Sequence, residues 1–468
     1  MANFLDLPSE LLPVILRFLI RPSHIAVICL VNKSFYTFSV PYLYERVYIY
    51  AWHKEGKGRV VQLFRTLSGN RHLANYVRKL EIRDFPKALQ SADYEELVHL
   101  CLNGIKNCVS LRACTWTRHG SVRTDIFEAL LTCPQLRELE INGQHYHQYQ
   151  PSVLARFASL HRISLIMPSH AVIDILPTWM KATGNTLRSL SLICKSSSSI
   201  NDDTLRLLAP HLVNLEQLYI AGCPKVTDKG LWDVIASNSQ GLHALGMEGL
   251  SPAFDMSHFS KRCASSGALS RLRSITLSVR EQHPVNWDAH VLSLLASAPL
   301  EHFHISTVGG LVGPALDERF CTAIVDAHGS RLRRFSVHRM RMNISSIADI
   351  CRRCPQLEQL FIVVEQTTLD SLGSVLALAR CVRAVHVNRP LDVGSEDVSE
   401  LAHDKILSIV RQCVWTLTQF GYNTAVFQVE RAVRRREDGS MEMEVCLAPY
   451  ENPEIARSVR SMTRAVSR

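Results

Sequence analysis

A chain of 468 residues with 47% hydrophobic and 20% charged residues is long enough for two to four domains or one extended repeat array, and too apolar to be disordered. No apolar run is long enough to span a bilayer, and the start Met1-Ala2-Asn3 lacks a basic secretory segment, so the 14 cysteines read as reduced, mostly buried thiols of a cytosolic or nuclear protein. The formal charge of +9 is moderate, and the basic residues are scattered along the chain, so neither a nucleic-acid surface nor a membrane contact is expected.

The N-terminal elements come first. Pro8 suits the first turn of a helix, where a backbone N–H has no intrahelical partner. Apolar residues at 11, 12, 15, 16 and 19 then make one stripe of period 3.6, with Pro13 placing the helix start at or just before it. Arg21-Pro22-Ser23 breaks the pattern, Ser23 is the expected N-cap of a second helix through Val31, and 32–38 reads as a third. Three short helices bury too little surface to be robust alone, so either a partner or the rest of the chain must cover them.

The order of residues is more specific than their period. Leu7-Pro8-x-Glu10-Leu11-Leu12-x-x-Ile15-Leu16, then Leu30-Val31-Asn32-Lys33-Ser34-Phe35, then Leu43-Tyr44, resembles an F-box over roughly residues 4–48. The resemblance implies docking on a Skp-type adaptor, and through it on a cullin, in a cullin–RING ubiquitin ligase. Its matching positions place Leu7, Pro8, Leu11, Leu12, Ile15 and Leu19 at the adaptor surface. Asn32 stands where many relatives carry Cys, and Tyr44 where many carry Trp.

Residues 49–76 are a linker or N-terminal cap, and from 77 to about 425 one pattern recurs: apolar-x-x-apolar-x-apolar, a polar stretch, then a helical segment. Its cores run from Val77-Leu80-Ile82, Leu111-Cys114-Trp116, Leu136-Leu139-Ile141 and Leu160-Ile163-Leu165 through Leu187-Leu190-Leu192, Leu215-Leu218-Ile220, Leu242-Leu245-Met247 and Leu272-Ile275-Leu277. Leu300-Phe303-Ile305, Leu332-Phe335-Val337, Leu357-Leu360-Ile362, Val382-Val385-Val387 and Leu417-Phe420-Tyr422 complete them. The period of roughly 24 to 35 residues is that of leucine-rich repeats, and 215–231 looks like their cysteine-containing class, with Thr227 or Asp228 capping its helix. About 12–13 such repeats predict an α/β solenoid with parallel strands on the concave face and helices on the convex face, each repeat burying its core only against its neighbours.

The array needs covered ends. Alternation at Phe427, Val429 and Val433, and at Met441, Met443, Val445 and Leu447, with Glu437-Asp438-Gly439 between them, predicts an antiparallel capping hairpin over 426–448. Its register sets Val433 opposite Met443 and Arg434 opposite Glu442. Residues 449–468 read as a loose basic tail.

Site chemistry is thin. Cys351-x-x-Cys354 lacks a second ligand pair for zinc, and Cys354 keeps the offset before its strand leucine that Cys108 and Cys133 keep before theirs, so a repeat-core thiol explains it better. His145-Tyr146-His147-Gln148-Tyr149 reads as a polar aromatic loop at a repeat edge. Gly309-Gly310-Leu311-Val312-Gly313-Pro314 lacks the Lys-Ser/Thr of a phosphate loop. No nucleophile elbow or paired carboxylates appear, so no enzyme activity, metal or cofactor is expected. Outward strand positions carry His302, His304, Arg334, His338, Phe361 and His386, which would form one exposed patch for a protein partner, and Tyr219 is a lone aromatic of the same kind on an earlier strand.

The expected protein is therefore a substrate-recognition subunit of an SCF-type ubiquitin ligase, a monomer within a hetero-complex, holding an unknown target on its repeats. The alternatives are an F-box scaffold outside ligase assembly and a repeat receptor for a small ligand.

Overall fold

The computed structural model describes residues 8–19, 21–50, 56–86, 91–280, 286–308, 315–390, 401–435 and 440–451. Leu7, the glycine-rich stretch 309–314, the hairpin residues Glu437-Asp438-Gly439 and the tail beyond 451 lie outside them. The chain forms two compact units, the first running to Leu215 with Ser237–Gln240, the second comprising Glu216–Ala236 and Gly241–Glu451.

The first unit opens with a short 3-10 turn, Ser9–Leu11, leading into α1 (Leu12–Leu16), α2 (Pro22–Ile28) and α3 (Lys33–Glu45). Pro22, not Ser23, starts α2: it occupies the first turn, where its missing N–H leaves no bond unmade, and Arg21 holds the cap position. α3 runs seven residues past the sequence expectation, carrying Pro41 inside it. Its start is fixed by the Asn32 side chain, which accepts from the Phe35 amide at 2.9 Å. Leu12, Leu16, Ile25 and Val40 are the buried apolar residues of these three helices.

Six parallel strands follow in chain order: β1 (Arg46–Ile49), β2 (Lys79–Ile82), β3 (Ala113–Trp116), β4 (Glu138–Asn142), β5 (Arg162–Ile166) and β6 (Ser189–Ile193). The sequence pattern does not announce β1, because its leading position, Tyr44, lies inside α3; β1 pairs Val47 with Leu80 and Ile49 with Ile82. Helices such as Ser91–Asn107 and Thr124–Leu131 connect the strands. Trp116 is fully buried, its ring 5.9 Å from Phe64 and 5.5 Å from Phe85.

The second unit continues the plan with β7 (Gln217–Ala221), β8 (Ala244–Glu248), β9 (Ser274–Arg280), β10 (His302–Val308), β11 (Arg334–His338), β12 (Gln359–Val363), β13 (Ala384–Asn388) and β14 (Gln419–Tyr422). Each pairs parallel with the next. β15 (Ala425–Arg435) then returns antiparallel to β14, and β16 (Met441–Pro449) antiparallel to β15, with Val433 against Met443 and Arg434 against Glu442. Each predicted apolar core, from Val77-Leu80-Ile82 to Leu417-Phe420-Tyr422, lies on or beside one strand, and its residues are buried. Burying one such Leu, Ile or Phe contributes about 1.5–3 kcal/mol, which is why the repeat tolerates variable spacing but not loss of its three apolar positions.

The residue before each strand sets the step between repeats. Its carbonyl accepts two amides of the next repeat, as Arg78 O does from Arg112 N at 2.8 Å and Ala113 N at 3.0 Å. The same double bond recurs at Arg112, Arg137 and His161 in the first unit, and at Glu216, His243, Arg273, Glu301, Arg333, Glu358 and Arg383 in the second. Backbone geometry thus stacks these side chains in register whatever their identity.

Candidate partner-binding surfaces

The N-terminal helices divide their apolar residues sharply. Leu12 and Leu16 face the helical core, whereas Leu11, Val14, Ile15 and Phe18 are exposed, Phe18 at 79%. Val27, Leu30 and Val31, at and just past the end of α2, are exposed too, Leu30 at 85%. Of the residues expected to meet an adaptor, Pro8, Leu11 and Ile15 are exposed, Leu19 is half-buried and Leu12 is buried at 8%. Leu12 is therefore a packing residue in the free chain. Monomeric surfaces seldom gather this many large aliphatic side chains in so short a segment without a partner.

The second candidate surface is the strand face of the second unit opposite its helices. The strand pairings bring four of the expected residues into one row: Tyr219 beside Gly246, then Thr276, His304, Ser336, Phe361, His386 and Gly421 on successive strands. Tyr219 is thus the start of the row and not an isolated aromatic. Exposure is where the expectation fails. Phe361, His304 and His386 are each only 4% exposed.

The reason is that Tyr219, His304 and His386 each lie against a small neighbour, and Phe361 lies under Arg334. A Cβ on Gly246 would come within 1.9 Å of the Tyr219 ring, and one on Gly421 within 2.1 Å of His386 Nδ1. Tyr219 crosses Gly246 to donate its hydroxyl to Glu248. His386 crosses Gly421, and its Nε2 donates to the Asn423 carbonyl at 2.9 Å. His304 Nδ1 sits 2.7 Å from Ser336 Oγ, and the Arg334 guanidinium lies 4.9 Å over the Phe361 ring. The row is interlocked, and of the expected residues Tyr219, His302, Arg334 and His338 are half-buried.

Electrostatics follow from burial. Burial drives His304 down to about 3, helped by Arg334 and His338, and His338 down to about 4, so both rings are neutral at pH 7. Burial likewise lowers Arg334 to about 10, which leaves it cationic. Glu248, on the same face, is pushed up to about 7 by burial, although Ser306 donates to it at 3.2 Å. Sequence reasoning passed over Glu248; its signal was an acidic residue at the end of an otherwise apolar strand, Ala244–Glu248.

In the first unit the corresponding face carries an ion cluster that sequence reasoning also missed. Glu81 accepts from Arg46 Nε at 2.8 Å and from the Tyr50 hydroxyl at 3.1 Å, and Arg83 bridges to Glu140 at 2.8 Å. Burial by itself would raise the Glu81 carboxyl, but Arg46 and Arg83 outweigh it and hold it below the usual carboxylate range.

The remaining sequence candidates settle into packing roles. Cys108, Cys133 and Cys354 are buried, each with its carbonyl accepting from the strand leucine three residues on, and burial pushes their thiols up to about 12, 11 and 12. Cys351, also buried, is pushed up to about 12. In the His145–Tyr149 stretch, Tyr149 is buried edge-on against Phe127 at 4.9 Å and His145 Nδ1 lies 2.8 Å from Ser169 Oγ; Tyr146 stays exposed.

No family model matches the chain, and no curated protein matches it. Among solved structures it is similar to the crystal structure of the Rad7 and Elc1 complex in yeast, at 15% identity and a TM-score of 0.42, over 66% of this chain and 83% of that chain.

Proposed function

We propose that this protein is the substrate-recognition subunit of an SCF-type cullin–RING ubiquitin ligase, docking a Skp-type adaptor through α1–α3 and presenting a target on its repeats. The observation that carries the reading is the exposed apolar set Leu11, Val14, Ile15, Phe18, Val27, Leu30 and Val31 on helices whose own core is already filled by Leu12, Leu16, Ile25 and Val40. Covering even four such side chains would contribute at most about 6–12 kcal/mol, of the same order as the cost of association that a complex must offset. In this reading the chain performs no bond chemistry. It raises the local concentration of a target next to subunits that do.

The placement of Leu12 decides how the reading is tested. A Leu12→Asp change would unfold α1 and confuse folding with docking, whereas Leu11→Asp with Ile15→Asp alters exposed positions alone. The double variant should keep the wild-type circular dichroism spectrum and melting temperature while adaptor and cullin disappear from affinity purifications of the full chain. Undiminished adaptor recovery by that folded variant would sink the docking assignment. Recovery of adaptor without cullin by the wild type would instead favour a scaffold outside ligase assembly.

A further inference from the structure

β16 (Met441–Pro449) is the last strand of its sheet and pairs, among the described residues, with β15 alone. Its nine residues run in unbroken register with β15, from Phe427 against Pro449 to Arg435 against Met441, and its one proline stands at the last position. β15 meets β14 only over Ala425–Gln428, so most of the hairpin runs past β14 as a two-stranded ribbon. Arg431 braces that ribbon, donating to the Leu417 carbonyl at 2.6 Å and to the Val414 carbonyl at 3.1 Å. The open edge is thus about 30 Å of preorganised backbone. Such an edge is a template for another strand unless it is short, bulged or charged on its packing face.

Alternation gives the ribbon two faces, one of which carries Met441, Met443, Val445 and Leu447, with Val433 opposite Met443. The helix His403–Gln412 packs on β16, and the His403 ring lies 6.1 Å from that of Phe427, which stands opposite Pro449. Toward that end the apolar face is covered: Leu447 and Val445 are half-buried, and Val429, opposite Leu447, is buried. The cover stops there. Met443, Met441 and Val433 are 60%, 71% and 63% exposed. Three large apolar side chains on the far end of an edge hairpin leave its face unfinished, and a two-stranded ribbon is marginal in water without a cover.

We propose that β16 is a self-association edge, on which two copies of this chain pair antiparallel about Val445, in place of the monomer expected from the sequence and independently of adaptor docking. Only a register that sets odd positions against odd keeps the apolar residues on one face. Centred on Val445, that register uses the whole strand and sets Met443 against Leu447 and Met441 against Pro449 of the second copy. Glu442 and Glu444 then meet Ala448 and Cys446. Centred on Met443 it would set Glu442 across from Glu444, and centred on Glu444 it would set Glu444 across from itself, like charges directly opposed. Centres beyond Val445 leave Met441 unpaired. Because the pairing is two-fold, the helix-covered end of one copy lies beside the open end of the other, and each finishes the other's face. A strand from an unrelated chain would pair the backbone but bring no such cover.

The test is the oligomeric state of the full chain, read by sedimentation velocity from about 1 μM to about 0.1 mM. Wild type should pass from monomer to dimer within that range, and amide hydrogen exchange in β16 should slow as the dimer forms. Met441→Lys with Met443→Lys, both at exposed positions, should weaken dimerisation at least about tenfold with the melting temperature preserved. Leu11→Asp with Ile15→Asp should leave the dimer intact, which separates this edge from the α1–α3 surface. Pairing of copies is overturned if the wild type stays monomeric at about 0.1 mM, if the lysine variant dimerises like the wild type, or if the Leu11 and Ile15 variant is monomeric. Recovery of a different protein by a monomeric wild type, lost in the lysine variant, would overturn it too and assign the edge to that protein.

Discussion

Two buried carboxylates, Glu248 and Glu81, sit on the same kind of strand position and are driven in opposite directions. Glu248 accepts from the hydroxyls of Tyr219 and Ser306, and burial dominates and lifts it to about 7. Its folded form therefore favours the proton. The associated stability is fully present below the unfolded carboxylate range near pH 4.3 and is lost as pH rises through about 7, at a cost of order 3 kcal/mol. Glu248→Gln should accordingly raise the melting temperature at pH 8 and change it little at pH 4.5, a contrast that thermal scans at the two pH values read directly. Glu81 has Arg46 and Arg83, which hold it low, so its contribution is present above the usual carboxylate range and is lost as pH falls toward the depressed folded value. Glu81→Gln should cost about 1–3 kcal/mol at pH 7 in a denaturant titration, because it leaves two partly buried guanidinium groups without their carboxylate.

Strand pairing converts an ordinary residue list into packing rules at the scale of the element. The row through β7–β14 alternates bulk with gaps, and the gaps are where the fold tolerates no side chain. Gly246→Ala would place a methyl inside the Tyr219 ring, so Tyr219 must swing away and release Glu248. That change should destabilise the second unit by about 1–3 kcal/mol, as overpacking does, with a rise in tyrosine fluorescence or solvent accessibility reporting the displaced ring. Alanine at an exposed glycine of the first unit such as Gly69, where no atom lies within 4 Å, is the matched control. This device also explains why Phe361 and His386 are unavailable as anchors. They were readable as outward residues from the two-residue period, but whether an outward residue is exposed depends on what the neighbouring strand carries at the same register.

For the whole molecule, the functional reading rests on the exposed apolar set of the helices α1–α3. Leu11→Asp with Ile15→Asp should therefore remove adaptor recovery while the melting temperature of the full chain stays at its wild-type value.

The repeat itself was legible residue by residue. Apolar residues at three positions of each core, spaced for one strand, fix where strands fall, because burial of those side chains is local to a repeat and its neighbours. The register of Val433 with Met443 followed from alternation together with the Glu437-Asp438-Gly439 turn expected between the strands. β1 escaped because its leading position, Tyr44, lies inside α3, and α3 outran its expected end because Pro41 is accommodated inside a helix packed on both α1 and α2. Leu12 and Leu11 are indistinguishable in a helical period, yet one is buried and one is not.

What the amino-acid order determined by itself is therefore the α/β repeat plan and the helical character of the N-terminal segment, since each depends on interactions within one or two consecutive repeats. Only the tertiary structure decided which outward residues are reachable. That property depends on side chains about 25–35 residues apart being set side by side by backbone pairing, a relation that no local pattern encodes.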